Sequence, residues 1–394
     1  MHRLRIHIWL MLCLLFPLSV EGQTASAVDT TAMMRNDYIT ASLLVVDPSS
    51  EVYSMFGHCA LRLECPTHDM DYCFTFEMST DYKAILGFIT GKSLGAFKPA
   101  PTQEYLDYYR KEQRGVTQYP LNLTPTEKLQ LWKQVDKEVA LGFCYPYGYM
   151  HTQCTSKLVW LIASALPAPI GYTQLPSQLE GSFRDQMLAE SANYPWSRFF
   201  WQTIMGPEGD ATEPLEQKLT PHTLPLAWQH TTIGDERRPL ITGQGETLVP
   251  SVVTNSCDIL TPTRACTLLF FIVIIVTLLQ HYHKCRWLVR LADGLLLVIY
   301  TALALLLAYL ILFSQQEGTG WNWYLPAFNP LPLLLWLVLP RWRRWILGCW
   351  AVIFLVSILL TPFIPQFDLP HALLMGCFLI RLCYLTRYHV INNK

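Results

Sequence analysis

The sequence has no excess of positive charge: its 394 residues carry 29 Lys and Arg against 30 Asp and Glu, a formal net charge of −1. A nucleic-acid partner calls for a basic face or stripe that displaces counterions from phosphates, so that class of function is set aside. Ahead of residue 263 there is also no C-x-x-C pair and no closely spaced pair of histidines to accompany the cysteines there, which argues against zinc held by Cys and His. No internal repeat or low-complexity tract interrupts the chain. Charged residues of either sign make up 15% of it and hydrophobic residues 51%. That is too apolar for an ordinary soluble protein, while the first half is too charged for a simple transporter. Two regions facing different solvents are expected.

The first residues, "MHRLRIHIWLMLCLLFPLSVEGQTASA", place Arg3 and Arg5 before an apolar run from Ile8 to Val20 and small residues after it, the order of an export signal. The run is short for a membrane span, so residues 1–23 read as a signal peptide, and no lipobox surrounds Cys13. From Thr263 the composition changes. Five apolar runs follow, near 264–281, 288–313, 324–340, 344–362 and 369–386, each close to the ~20 residues that cross a bilayer. The chain thus divides into an exported domain, 24–262, and a membrane domain, 263–394. The Pro-rich turns at 165–169 and 219–225 read as loops within the exported domain, because apolar segments continue on both sides.

Orientation follows from the loops. "HYHKCR", "RWRRW" and "RYHVINNK" are basic, whereas "SQQEGTGWNW" and "PQFD" carry almost no positive charge, which puts the C-terminus in the cytoplasm. Trp321, Trp323, Tyr324, Trp342 and Trp345 fall at span ends as interfacial anchors. Arg290 and Asp293, three apart near the inner end of the second span, share a helix face as a possible structural pair.

In the exported domain, "YITASLLVV" (38–46) reads as a strand, "CALRLEC" and "DYCFTFEM" as a hairpin closing around "PTHDM", and "VTQYPLNL" as a further strand. "TQEYLDYYRKEQR" reads as an amphipathic helix, and "TPTEKLQLWKQVDKEVA" as a helix capped by Thr124. A mixed α+β domain follows. In "YPYGYMHTQCTSKLVWLIASAL" the turn-forming residues end at Gln153 and a helical apolar pattern starts after Cys154, which sets Cys154 in a first helical turn. The unpaired N–H groups and partial positive charge there favour thiolate over thiol and can cradle an oxyanion.

A nucleophile needs a base. His58, behind Gly57 at the lip of the strand "CALRL", is a candidate, since a neutral imidazole can take the thiol proton and return it. Antiparallel pairing across the hairpin puts position 58 opposite 77 or 78, so Glu77 is either the group that orients the ring or a solvated strand residue. Export permits disulfides, and six cysteines, at 59, 65, 73, 144, 154 and 257, lie in this domain. Cys65 and Cys73 flank the turn and could be bridged, whereas Cys59 points away from His58 as a packed small residue. On these grounds alone Cys154 is a nucleophile, a disulfide partner or an inert core thiol.

"SLLVVDPSSEVYSMFGHCALRL" (42–63), "YCFTFEM", "GVTQYPLNLTPTEK", "TQCTSKL", "SFRDQM", "YPWSRFF", "MGPEGDATEPLEQKLTPHTL", "RRPLITGQGETLV" and "WNWYLPAFNPLPLL" (321–334) together resemble the Bacteroidetes lipoprotein N-acyltransferase family. The resemblance covers nearly the whole mature chain. It implies an α+β periplasmic domain with a permuted papain-like fold, similar to NlpC-type enzymes and lecithin:retinol acyltransferase, followed by an all-α domain of five transmembrane helices in the bacterial inner membrane. It implies Cys154 as nucleophile and His58 as base. Gln153 stands where the family has Asn, and Glu77 where it has Asp. The implied reaction carries a fatty acyl chain from a membrane phospholipid, through a Cys154 thioester, to the α-amine of a diacylated lipoprotein's N-terminal cysteine, with no cofactor and no metal. A membrane-anchored cysteine peptidase or cell-wall amidase is the rival enzyme, and an assembly factor that has lost the chemistry is the non-enzymatic one.

Overall fold

The computed structural model describes residues 39–49, 54–78, 87–142, 144–234, 237–252, 259–337 and 340–392. The signal segment and Cys257 lie outside the described residues. The N-terminal domain is built on β1 (Thr40–Val46), β2 (His58–Cys65), β3 (Met70–Met78), β4 (Leu94–Pro101), β5 (Val116–Pro120), β6 (Cys144–Pro146) and β9 (Glu246–Val249). They form one antiparallel sheet in the order β6-β4-β3-β2-β1-β5-β9, and a two-stranded ribbon of β7 (Gly171–Tyr172) and β8 (Thr231–Thr232) stands apart.

Alternation sorts the side chains of the central strands. Leu61, Leu63, Phe74 and Phe76 face one layer, which holds helices α2 (Pro125–Leu141) and α3 (Cys154–Ala163). Leu44, Val46, Ala60 and Cys73 face α1 (Thr102–Lys111) on the other side through Tyr105, Leu106 and Tyr109. α3 is held by Leu158, Leu161 and Ile162, all at most 1% exposed, and each such side chain contributes roughly 1.5–3 kcal/mol by leaving water. The cap of α2 forms as the sequence indicates: Thr124 accepts from the Glu127 N–H, and the Glu127 carboxylate accepts from the Thr124 N–H.

The hairpin turn is a short 3-10 segment, Pro66–His68, followed by Asp69 in the left-handed region. Its register sets Arg62 opposite Cys73 and Cys65 opposite Met70. Cys65 and Cys73 are therefore out of register for the expected bridge and are both free: Cys65 meets the Thr67 hydroxyl and Cys73 that of Thr102.

After α4 (Pro195–Ile204) of the N-terminal domain, four helices in the C-terminal part are long and apolar enough to cross a membrane: α5 (Pro262–His281), α6 (Arg286–Phe313), α7 (Pro340–Leu359) and α8 (Leu369–Asn392). The run at 324–340 was expected to be a fifth helix and is not one; its described residues 324–337 make turns and a 3-10 stretch, Leu331–Leu337. Its prolines, Pro326, Pro330 and Pro332, remove backbone donors and clash with preceding turns. The segment nonetheless runs lengthwise through the helical part. The C-terminal end of α6 meets the N-terminal domain, with the Ser314 hydroxyl donating to the Ile89 carbonyl at 2.7 Å. So does the end of α7, where the Gln202 amide donates to the Pro365 carbonyl at 3.2 Å. Both helices end on one side, so the chain between them must travel to the other. Midway, Tyr300 of α6 donates to the Asn329 carbonyl at 2.8 Å and Trp350 of α7 to the Ala327 carbonyl at 3.2 Å. These side chains satisfy carbonyls that irregular backbone leaves open, the condition for such backbone at membrane depth.

Two further expectations are corrected. Asp293 pairs with Arg381 of α8, at 2.7 and 2.8 Å, and not with Arg290, which is exposed. Thr277 and Gln280 of α5 accept from the same guanidinium, so three helices share it. Tyr324 is not an interfacial anchor but a core residue, 1% exposed, whose hydroxyl donates to the Gln366 carbonyl.

Candidate active site

His58 begins β2 directly after Gly57, whose φ of +77° belongs to the left-handed region; a Cβ there would lie 2.4 Å from the Val46 carbonyl oxygen. The glycine lets the chain turn sharply onto the sheet and leaves the imidazole at its rim. From the other side, α3 brings Cys154 in as its first residue. Gln153 is the N-cap, and its side-chain amide donates to the Met150 and Leu219 carbonyls, fixing the approach to the helix. The structure thus brings His58 and Cys154 together, with the thiol within hydrogen-bond reach of the imidazole.

Cys59 is the third member of this cluster. It is 1% exposed, and its sulfur lies 3.8 Å from the Thr155 hydroxyl, which is 3.9 Å from the Cys154 sulfur. A hydrogen bond from Cys59 and the proximity of His58 hold the Cys154 thiol well below its ordinary value, against the opposing effect of burial. Burial pushes Cys59 the other way, well upward, so it stays a thiol that donates to a Cys154 thiolate. Cys73, on the far face, is pushed up to about 12 by burial and is inert.

The ring's orientation departs from expectation. The pairing of β2 with β3 ends at Ala60 and Thr75, short of His58 and Glu77, and the Glu77 carboxylate turns to Lys98 of β4, 2.8 Å away. His58 Nε2 makes its short hydrogen bond with the Thr75 hydroxyl, two residues along on the same face. That hydroxyl reaches the Cys59 carbonyl at 3.5 Å, an acceptor only. Thr75 therefore donates to the carbonyl and accepts from Nε2–H, which leaves Nδ1 with its lone pair free for a thiol proton. Glu77 still lines the cavity, but as the partner of a lysine.

Tyr147 was not anticipated. Its hydroxyl lies within hydrogen-bond reach of the Cys154 backbone N–H, and burial pushes its pKa well upward, so it is a neutral phenol able to donate. A cavity of about 540 Å³ opens over Cys154, His58 and Tyr147. Part of its wall is apolar: Phe88, Tyr149 and Trp201 line it and pack in one cluster with Leu306 and Leu310 of α6. Lys98 and Arg114 line the polar part. Among the described residues no group of three or more His, Cys, Asp or Glu side chains is arranged to hold a metal ion.

A buried cysteine at a helix start, within hydrogen-bond reach of a histidine, sits in a domain joined to four helices long and apolar enough to cross a membrane. Residues 27–178 match the family model of the Lnb N-terminal periplasmic domain, and residues 254–392 match that of the Lnb transmembrane domain. The chain belongs to the Lnb lipoprotein N-acyltransferase family. No curated protein and no solved structure matches it.

Proposed function

We propose that the protein transfers a fatty acyl chain from a membrane phospholipid to the α-amine of a diacylated lipoprotein's N-terminal cysteine, on a permuted papain-like periplasmic domain. The observation that carries this reading is the cavity: its catalytic end holds Cys154 and His58, and its apolar wall is continuous with a helix able to cross a bilayer. A lipid ester can reach such a thiol without leaving the membrane surface.

In the first half-reaction His58 holds the thiol proton and the Cys154 thiolate attacks a phospholipid ester carbonyl. The Tyr147 hydroxyl, held by the Cys154 N–H, stabilises the oxyanion. The ester C–O bond breaks, His58 gives its proton to the departing oxygen, and a lysophospholipid leaves a thioester. In the second, the lipoprotein amine, with a pKa near 8 and so partly neutral at pH 7, attacks the thioester carbonyl. The C–S bond breaks, the thiolate returns, and the amine proton passes to His58. Thr75 orients the ring throughout. Neither a cofactor nor a metal takes part.

The four apolar helices and the irregular pass between α6 and α7 make five crossings of the bacterial inner membrane. With the N-terminal domain in the periplasm, the C-terminus is cytoplasmic. Peptide or cell-wall hydrolysis could use the same dyad, but a hydrolase needs no lipid-facing wall. Purified protein incubated with phospholipid and a diacylated lipopeptide, and separately with peptidoglycan fragments, tests the reading. N-acylated lipopeptide is expected, and cleaved fragments with no acyl transfer would overturn it.

A further inference from the structure

The turn that delivers Cys154 is held from outside its own domain. Between α6 and the third crossing, residues 314–322 lie against the N-terminal domain. There the Glu317 carboxylate accepts from the Met150 N–H at 3.1 Å, the His151 N–H at 2.7 Å and the Thr152 hydroxyl at 2.9 Å. These are consecutive residues, ending two before the nucleophile. A carboxylate that gathers three donors makes strong charge-assisted bonds, and two of the donors are backbone amides that neither helix nor sheet serves.

Space around the latch is reserved for it. A Cβ on Gly148 would come within 2.3 Å of the Glu317 carboxylate, so only glycine lets the turn approach this closely. The strap is pinned on either side: the Gln316 amide donates to the Phe88 carbonyl at 2.8 Å, and the Gly318 N–H donates to Glu208 at 2.7 Å. Phe88 and Tyr149 are cavity walls, so one loop of the membrane part grips both the nucleophile's turn and the wall opposite.

We infer that Glu317 is a positioning residue through which the membrane domain sets Cys154 against His58. The membrane part is then a component of the active site as well as its anchor, and an acid is required because every group facing it on the turn is a donor. This rests on Cys154 being the nucleophile. Lys157 feels the charge of the Glu317 carboxylate, Arg184 and Glu208 act with it on Tyr149, and His58, Cys59 and Tyr147 surround the thiol.

The test uses full-length protein in nanodiscs, with two measurements on Glu317→Gln, Glu317→Ala and Gly148→Ala. The first is the pH midpoint of Cys154 alkylation, read by peptide mass. The second is the separation of kcat from KM for the phospholipid. The midpoint should rise by about one unit or more, a tenfold loss of thiolate below it. kcat should fall on the order of 10 to 100-fold, as for a misplaced reacting group, with KM little changed and Glu317→Gln milder than Glu317→Ala. Gly148→Ala approaches from the other side and should reproduce the shift should the Glu317 variants fold poorly. An unchanged midpoint and kcat, or an effect on KM alone, would overturn the inference. A Cys154→Ala protein that still transferred acyl chains would instead sink the nucleophile reading.

Discussion

The hydroxyl of Thr75 holds the Nε2 edge of the His58 ring and also reaches the Cys59 carbonyl, so one hydrogen-bond chain fixes both the tilt and the tautomer of the imidazole. The consequence is a division of labour on one strand face. Thr75 orients the His58 ring, and Glu77 neutralises Lys98.

That division separates two substitutions. Thr75→Val keeps the shape but loses the acceptor, and acyl transfer should drop about tenfold, the worth of a neutral hydrogen bond, while Thr75→Ser restores it. Glu77→Gln should leave kcat within about twofold, since its partner is a partly exposed lysine. The reverse ranking would return the orienting role to Glu77.

Cys154→Ala and His58→Ala should each abolish transfer without loss of expression, and combining them should add little, because groups acting as one unit are strongly non-additive. Lipoprotein mass spectra from cells carrying each variant give the readout. A His58→Ala protein with most of its activity would make the histidine structural.

The depressed pKa of Cys154 has a defined sign. The thiolate persists as pH falls from 9 toward neutrality and is protonated only below the lowered value. Alkylation of Cys154 at pH 7 should therefore outpace that of an ordinary thiol, and removing its donor with Cys59→Ala should slow it. Equal rates in the two proteins would mean that Cys59 only fills space.

Arg381 is 4% exposed and its charge is met by Asp293. Asp293→Ala should lower thermal stability in detergent by about 3–5 kcal/mol, because it strands a buried charge. A melting temperature equal to that of the parent would show the pair to be dispensable.

Reporter fusions test the crossings. One after Lys394 should be active only in the cytoplasm, and one near Gly318 only in the periplasm. A fusion after Lys394 active in the periplasm, with the Gly318 fusion unchanged, would mean that the irregular segment between α6 and α7 does not cross.

Much of this was legible in the residues because local chemistry decided it. Alternation marked β1 to β3, the Thr124 box marked α2, and the switch from turn residues to a helical pattern placed Cys154 at a helix start. β4 escaped notice because "LGAFKPAP" contains Pro99 and Pro101. The strand tolerates them where β6 pairs with residues 94–96 only and leaves the rest as an open edge. The run at 324–340 was misjudged as a helix because its hydropathy is that of a span, and hydropathy does not count backbone donors. The His58 and Cys154 pairing could be guessed from position. Thr75 and Glu317 could not: the first depends on which way a ring tilts, and the second on a loop more than 160 residues away.

The most direct test of the account is the mass of the Cys154 peptide after the purified protein meets phospholipid without an acceptor. An adduct equal to one fatty acyl group, lost on adding a diacylated lipopeptide and absent from Cys154→Ala, is the predicted result. An unmodified Cys154 peptide in a preparation that nonetheless acylates lipopeptide would contradict it.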